Sequence, residues 1–402
     1  MSVFTDGGFT RRRFAAGSAA AAAAVAASSL AGCGADDAKK PATGEPQVVD
    51  DDSQVTDALE DYKSQDLAIA PAQTFALPLG TVLFHSEGAW SAAMLAPEDA
   101  LHVNTLGALS LTSGSLTTLR VDPESGRGYS FFDVRCGDGV MAWVEINYDT
   151  LDWALLAQPF SDGALSGSAV MLDEGDADWE PPMFSTAGDA VVWLHMPLAT
   201  GKKSSSDSHC YLWHVGDGKG KEIWTSTGRF ATHPRISDGV LTIVPRVHNE
   251  EGTYYGMTAL SLEGSTAKLD QLVLPAGVRP FEAVYTGENF VFSIEASYEG
   301  AGSLGDMGTF IGREGGPYVY FGREPAAQVS FSGERYFIKT QSAHYVVDTS
   351  AQALGSISSP ARSLDFGDYP ASEGRTSRFV TFATVRDGKG IPANVTARVF
   401  NV

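Results

Sequence analysis

Five arginines, Arg127, Arg229, Arg279, Arg323 and Arg362, each stand a few residues ahead of a run that reads as a β-strand. Trp179, His233 and Phe281 occupy comparable places in the same connecting stretches. A guanidinium is a planar fork of donors that matches a carboxylate or phosphate, and neighbouring rings would hold the flat face of a sugar or other small ligand. The chain has 28 basic against 49 acidic residues and a formal charge of −21. A ring of arginines would therefore reverse the local field and favour an anionic or glycan ligand. The competing explanation is that each arginine ties neighbouring loops together through a carboxylate or a carbonyl.

Other chemistries find less support. His209, Cys210 and His214 suggest a metal, but Cys210 and His214, on one face of a strand, are four residues and so about 13 Å apart. Asp176, Asp178 and Glu180 alternate as calcium ligands could, yet Pro181 and Pro182 stand where a calcium loop needs a glycine. Gly163-Ala-Leu-Ser-Gly167 has its serine one place late for a nucleophile elbow. These absences predict no catalytic set, no metal and no cofactor. A glycan hydrolase or lyase working through two carboxylates is the alternative, although nothing in the sequence selects the pair. The acidic balance argues against nucleic acid, whose phosphates are met by Lys and Arg.

The elements that would position these residues are strands. From Phe75 onward, short runs rich in Val, Ile, Phe, Tyr and Trp alternate with Gly, Asp, Ser and Pro turns, and no long amphipathic helix intervenes. The runs ending at Trp143, Trp193, Ile243, Phe292, Ile338 and Phe382, with Trp90 as an earlier member, recur about every 44–53 residues. In the third unit the expected strands are Met183–Ser185, Ala190–His195, Cys210–His214 and Glu222–Thr225. Several strands per repeat at this period predict an all-β fold, a single β-propeller of seven blades, or six without the Trp90 unit. A pair of β-sandwiches is the alternative. Ring closure is expected between Thr81–His85 and Asn394–Phe400. The layout separates Cys136 from Cys210 by more than a disulfide spans, so both are expected to be free.

Pro182-Met-Phe-Ser-Thr-Ala-Gly-Asp-Ala-Val-Val-Trp193 resembles the repeat of TolB-type and WD40-like propellers, and Pro234–Gly239 and Val329–Glu334 carry parts of it. The resemblance implies a propeller over residues 75–402 and, for such families, binding as the commoner role. It carries over no site.

The N-terminus supplies an address. Thr10-Arg11-Arg12-Arg13-Phe14, a soft alanine-rich run and Leu30-Ala31-Gly32-Cys33 resemble a twin-arginine export signal ending in a lipobox. The resemblance implies a signal peptide over residues 1–33, with Arg11 and Arg12 as its export pair and Cys33 as the lipidated residue. Residues 34–74, acidic and poor in large apolar groups, are expected to form a tether. Together these features predict a monomeric lipoprotein on the outer face of the cytoplasmic membrane. It would meet the membrane only through its lipid and bind an envelope protein or a small anionic or glycan ligand without catalysis.

Overall fold

The computed structural model describes residues 44, 46, 49 and 52–402, apart from 98, 100, 101, 249–251, 342 and 365. Arg11, Arg12 and Cys33 lie outside the described residues. The described chain forms seven β-sheets arranged as a propeller.

Four sheets are each built on one continuous stretch of chain, two more add short strands from elsewhere in the chain, and the seventh joins both ends. The first blade holds Val82–Glu87, Trp90–Leu95, Thr105–Ser110 and Leu116–Arg120. The second holds Ser130–Cys136, Val140–Ile146, Trp153–Ser161 and Val170–Gly175. The third is Met183–Ala187, Ala190–His195, Ser208–His214 and Lys221–Ser226, within two residues of the expected strands. The fourth, fifth and sixth begin at Arg235–Ser237, Glu282–Tyr285 and Ser330–Ser332. In the seventh, Gln73–Leu77 pairs antiparallel with Pro392–Asn401, which pairs with Arg378–Arg386.

Local sequence explains the hairpins. Asp238 and Gly239 both take positive φ, 50° and 71°. This geometry lets a two-residue turn follow the twist of its flanking strands, and Asp-Gly adopts it cheaply. The second strands are apolar on both faces because blades pack on both sides; all seven residues of Val140–Ile146 are buried.

Seven apolar clusters then close the ring, one at each junction between neighbouring blades. Trp143 seals the first junction and Trp153, Trp193 and Trp213 the second. Truncating one such tryptophan to alanine would cost about 3–5 kcal/mol.

Two expectations need correction. Closure uses Gln73–Leu77 instead of Thr81–His85, because Val82–Glu87 is taken up as the first strand of the first blade. The 34–74 segment is not wholly a tether either. Val55–Asp57 pairs parallel with Tyr318–Tyr320, and Lys63 and Ser64 pair with Ala353 and Leu354. Ala58 and Tyr62 from the short helical turn between them are buried in the cluster joining the fifth and sixth blades. Few apolar residues suffice here, because the blade edges already offer unpaired backbone groups.

Candidate functional site

The seventh blade departs from the others at the axis. Its first strand is only Tyr369–Pro370. The chain then crosses the centre as Ala371–Ser377 and touches every other blade. Ser86 of the first donates to the Ala371 carbonyl. Arg375 N donates to Ser237 Oγ of the fourth blade, and its Nη2 reaches the Thr286 carbonyl at the end of the fifth. Gly374 pairs in parallel with Ser330 of the sixth.

Glu373 is the hub of this crossing. Its carboxylate accepts from Arg135 Nη1 of the second blade at 2.9 Å and Ser185 Oγ of the third at 3.0 Å. Arg235 Nη1 of the fourth blade also donates to it, and His85 Nδ1 of the first lies 3.5 Å away. Only on the axis can one side chain meet four blades in this way. Arg235 is further held by a bidentate pair with Glu282, both contacts at 2.7 Å.

All of these groups are buried. Burial opposes ionisation of Glu373, but Arg235, Arg135, His85 and Ser185 hold its carboxyl well below the usual range. Burial lowers the His85 pKa to about 4 against the pull of Glu373, and Arg135 and Arg235 push the same way. Burial also raises the Asp133 carboxyl. The cluster resembles a polar active site in composition, yet it is closed to solvent, and its charges are spent on one another. It is a lock on the axis.

The accessible site lies on the face where each outer strand returns to the next inner one. Two cavities meet there at Tyr129, which lines both. The larger, about 950 Å³, sits between the first two blades and is walled by Pro78, Leu95, Pro97, Val121 and Pro123, with Arg127 at its edge. The smaller, about 600 Å³, reaches toward the third blade, with Tyr129, Trp153 and Trp179 facing Asp152, Glu174 and Asp176.

Buried second-blade residues position the loop between the cavities. The Glu145 carboxylate takes the backbone N–H groups of Glu124 and Ser125 at 2.7 Å each and Trp143 Nε1 at 2.8 Å. Arg120 donates to Gln158 at 2.8 Å and lies over the Trp143 ring. Trp179 is fixed as firmly. Its carbonyl accepts from Trp153 Nε1 at 3.1 Å, and its ring lies 4.1 Å from that of His195. His195 is in turn set by Asp173 at 2.9 Å, the carboxylate that also takes Trp193 Nε1. Asp173 and His195 form an oriented dyad, but no described serine or cysteine is hydrogen-bonded to that histidine.

The residues singled out from sequence fall in several places. Arg127 and Trp179 line the two cavities. Arg229 donates to Glu180 and to the Pro197 carbonyl, and Arg279 donates to the Ala231 carbonyl at 3.2 Å; both tie loops of neighbouring blades. Arg323 and Arg362 are exposed, Arg362 at a φ of 63°. Phe281 and His233 are half-buried. Of the five arginines, Arg127 lines one of these two cavities and the other four line neither.

Asp176 caps the Asp178 amide and Glu180 holds Arg229, which uses two of the three carboxylates weighed for calcium. His209 and His214 bond to Glu222 and Asp189. Cys136 and Cys210 are free and buried, and burial raises both thiols, Cys136 to about 12. Asp152, just past a hairpin turn, and Trp153, which opens the strand that follows, were not singled out from the sequence. Nor was Glu373, whose partners are all remote in sequence.

These features define a β-propeller with an accessible groove on one face. No family model and no curated protein matches the chain. Among solved structures it is similar to a prolyl endopeptidase, at 11% identity and a TM-score of 0.53, covering 82% of this chain and 47% of that one. It is also similar to a post-proline cleaving enzyme from Rickettsia typhi, at 9% identity and 0.50, covering 76% and 50%. The chain thus spans about half the length of these enzymes, and at such identities the likeness establishes the fold. It also corrects the expectation of a non-catalytic envelope scaffold or a glycan-active enzyme, since the propellers this chain resembles are parts of peptidases.

Proposed function

We propose that this chain serves peptide hydrolysis, its propeller holding an extended peptide substrate in the groove that passes Tyr129. The observation that carries this reading is the groove itself. Two cavities meet at one aromatic residue, the first walled by prolines and aliphatic residues together with Asp99, His102, Asp122 and Arg127, and the second by aromatic rings and carboxylates. A peptide has an apolar, side-chain-bearing length and polar ends, and this order of surfaces suits it better than it suits a glycan. The naming of the similar propellers' parent enzymes as prolyl endopeptidases supplies the substrate class. The locked axis supports the same choice, because its buried charges are paired and the cavity beside the crossing segment, lined by Ser86–Gly88 and Arg375–Arg378, is small at about 140 Å³.

The test is to mix the full chain with a pool of proline-containing oligopeptides and identify by mass spectrometry what co-elutes with it and what is cut. Apolar peptides should be retained, and Tyr129→Ala should release them. A pool that passes unbound, or retention indifferent to Tyr129→Ala, would overturn the reading.

The Thr10–Phe14 and Leu30–Cys33 pattern further supports export and lipidation at Cys33. Cys33→Ser should then move the protein from the membrane pellet to the soluble fraction, and an unchanged distribution would refute the anchor.

A further inference from the structure

The outer edges of the blades are not all finished alike. On the fourth, fifth and sixth blades the last strand takes a further extended segment from the N-terminal part of the chain, in parallel each time. Pro46 pairs with Val273, Val55–Asp57 with Tyr318–Tyr320, and Lys63 and Ser64 with Ala353 and Leu354. The fold therefore already uses its outer edges to seat extended backbone. Among the described residues, nothing pairs with the outer edges of Leu116–Arg120, Val170–Gly175, Lys221–Ser226 and Gln73–Leu77, the outermost strands of the first, second, third and seventh blades.

A free edge is a row of unpaired N–H and C=O groups, and proteins ordinarily shield it with charged or polar side chains. The third blade exposes Lys221 and Glu222 there, the first Thr117 and Thr118, and the seventh Thr74. The second blade does the opposite: Val170 and Met171 are exposed by 37% and 52%. Met171, with Glu174 and Gly175 of the same strand, also lines the smaller cavity beside Tyr129. The one free edge that carries exposed large apolar side chains thus borders the groove.

We propose that a bound peptide adds to the second blade as a further strand, pairing its backbone with the outer edge of Val170–Gly175 as Val55–Asp57 pairs with the fifth blade. The proposal rests on the peptide reading above and names how the ligand is held: extended, through backbone hydrogen bonds, with alternate side chains lying over Met171 and the cavity. Every second N–H of an added strand faces the edge. Proline is accepted only where its missing N–H would have pointed away.

The probe is a blocked octapeptide of alternating valine and threonine with one proline, together with its N-methylated forms, one methyl group per peptide. Dissociation constants are measured by calorimetry on the full chain, unmodified and as Val170→Lys. Val170 lies on the edge but lines neither cavity, so this substitution spares the groove itself. Methylation at every second position should weaken binding about tenfold, through one lost backbone hydrogen bond, and leave the intervening positions unaffected. Val170→Lys should weaken the unmethylated peptide about fivefold through lost apolar contact. Binding that responds equally to methyl groups at successive positions would overturn strand addition while leaving the peptide groove standing. A two-residue period that ignores Val170→Lys would put the strand on another edge and overturn the assignment to the second blade. No binding by the unmethylated peptide would remove the groove reading and this proposal with it.

Discussion

The axis and the face groove are made of the same kinds of residue, acids, bases and aromatics, and they differ in whether those residues have spent their interactions. On the axis, Glu373 takes Arg135, Arg235 and Ser185, and Arg235 takes Glu282. In the groove, Tyr129, Trp153 and Trp179 line a cavity with the carboxylates of Asp152, Glu174 and Asp176, none of them ion-paired among the described residues. A charge that is buried and paired contributes structure, whereas one left at a cavity wall is available to a ligand. Residue type alone does not separate the two.

The largest expected effect breaks the axial half of this contrast. Glu373→Ala leaves two arginines buried without their shared partner, and removing one member of a buried ion pair costs about 3–5 kcal/mol. Urea unfolding should show a loss of that size, and an unchanged midpoint would mean the crossing segment is not a lock.

The next effect is one of pH. His85 is neutral in the folded protein down to about pH 4 but protonates near 6.5 when unfolded. The unfolded chain therefore binds more protons within that window, and stability falls as pH drops from 6.5 toward 4. Below the ordinary carboxylate range Glu373 adds a further fall, since its depressed pKa gives stability that acid removes. His85→Asn should flatten the upper part of the fall, leaving the share due to the other buried histidine, His344, whose pKa burial also lowers. Equal slopes for the two proteins would contradict the assignment.

In the groove, Trp179→Ala should weaken apolar peptides by about tenfold, in line with lost apolar contact area. Smaller still, Arg229→Ala should cost about 1 kcal/mol of stability, through its partners Glu180 and Pro197, and leave peptide affinity unchanged. Calorimetry that shows the reverse ranking for Trp179 and Arg229 would move the ligand to the arginine side of the face.

Much of the scaffold was legible because it is written locally. The apolar runs at Trp143, Trp193 and Ile243 mark strands buried on both faces, and Asp238-Gly239 marks a hairpin. The site was less legible for a physical reason. Glu373 meets Arg135 and Arg235 across 238 and 138 residues of sequence, contacts that no local spacing encodes. The arginines drew attention as a set because each precedes a strand. Arg229 and Arg279 reach carbonyls at Pro197 and Ala231, backbone groups that the sequence does not distinguish, and Arg229 reaches Glu180 across 49 residues. Trp179 was the exception, since a tryptophan in an acidic connecting loop is unusual enough to stand out by itself.

The central claim is that the groove, and not the axis, receives the ligand. Amide hydrogen exchange of the full chain with and without a saturating proline-containing peptide tests it directly. The account predicts new protection over residues 121–130 and 171–179 and none over Ala371–Ser377. Protection confined to Ala371–Ser377, or absent from both groove segments, would contradict it.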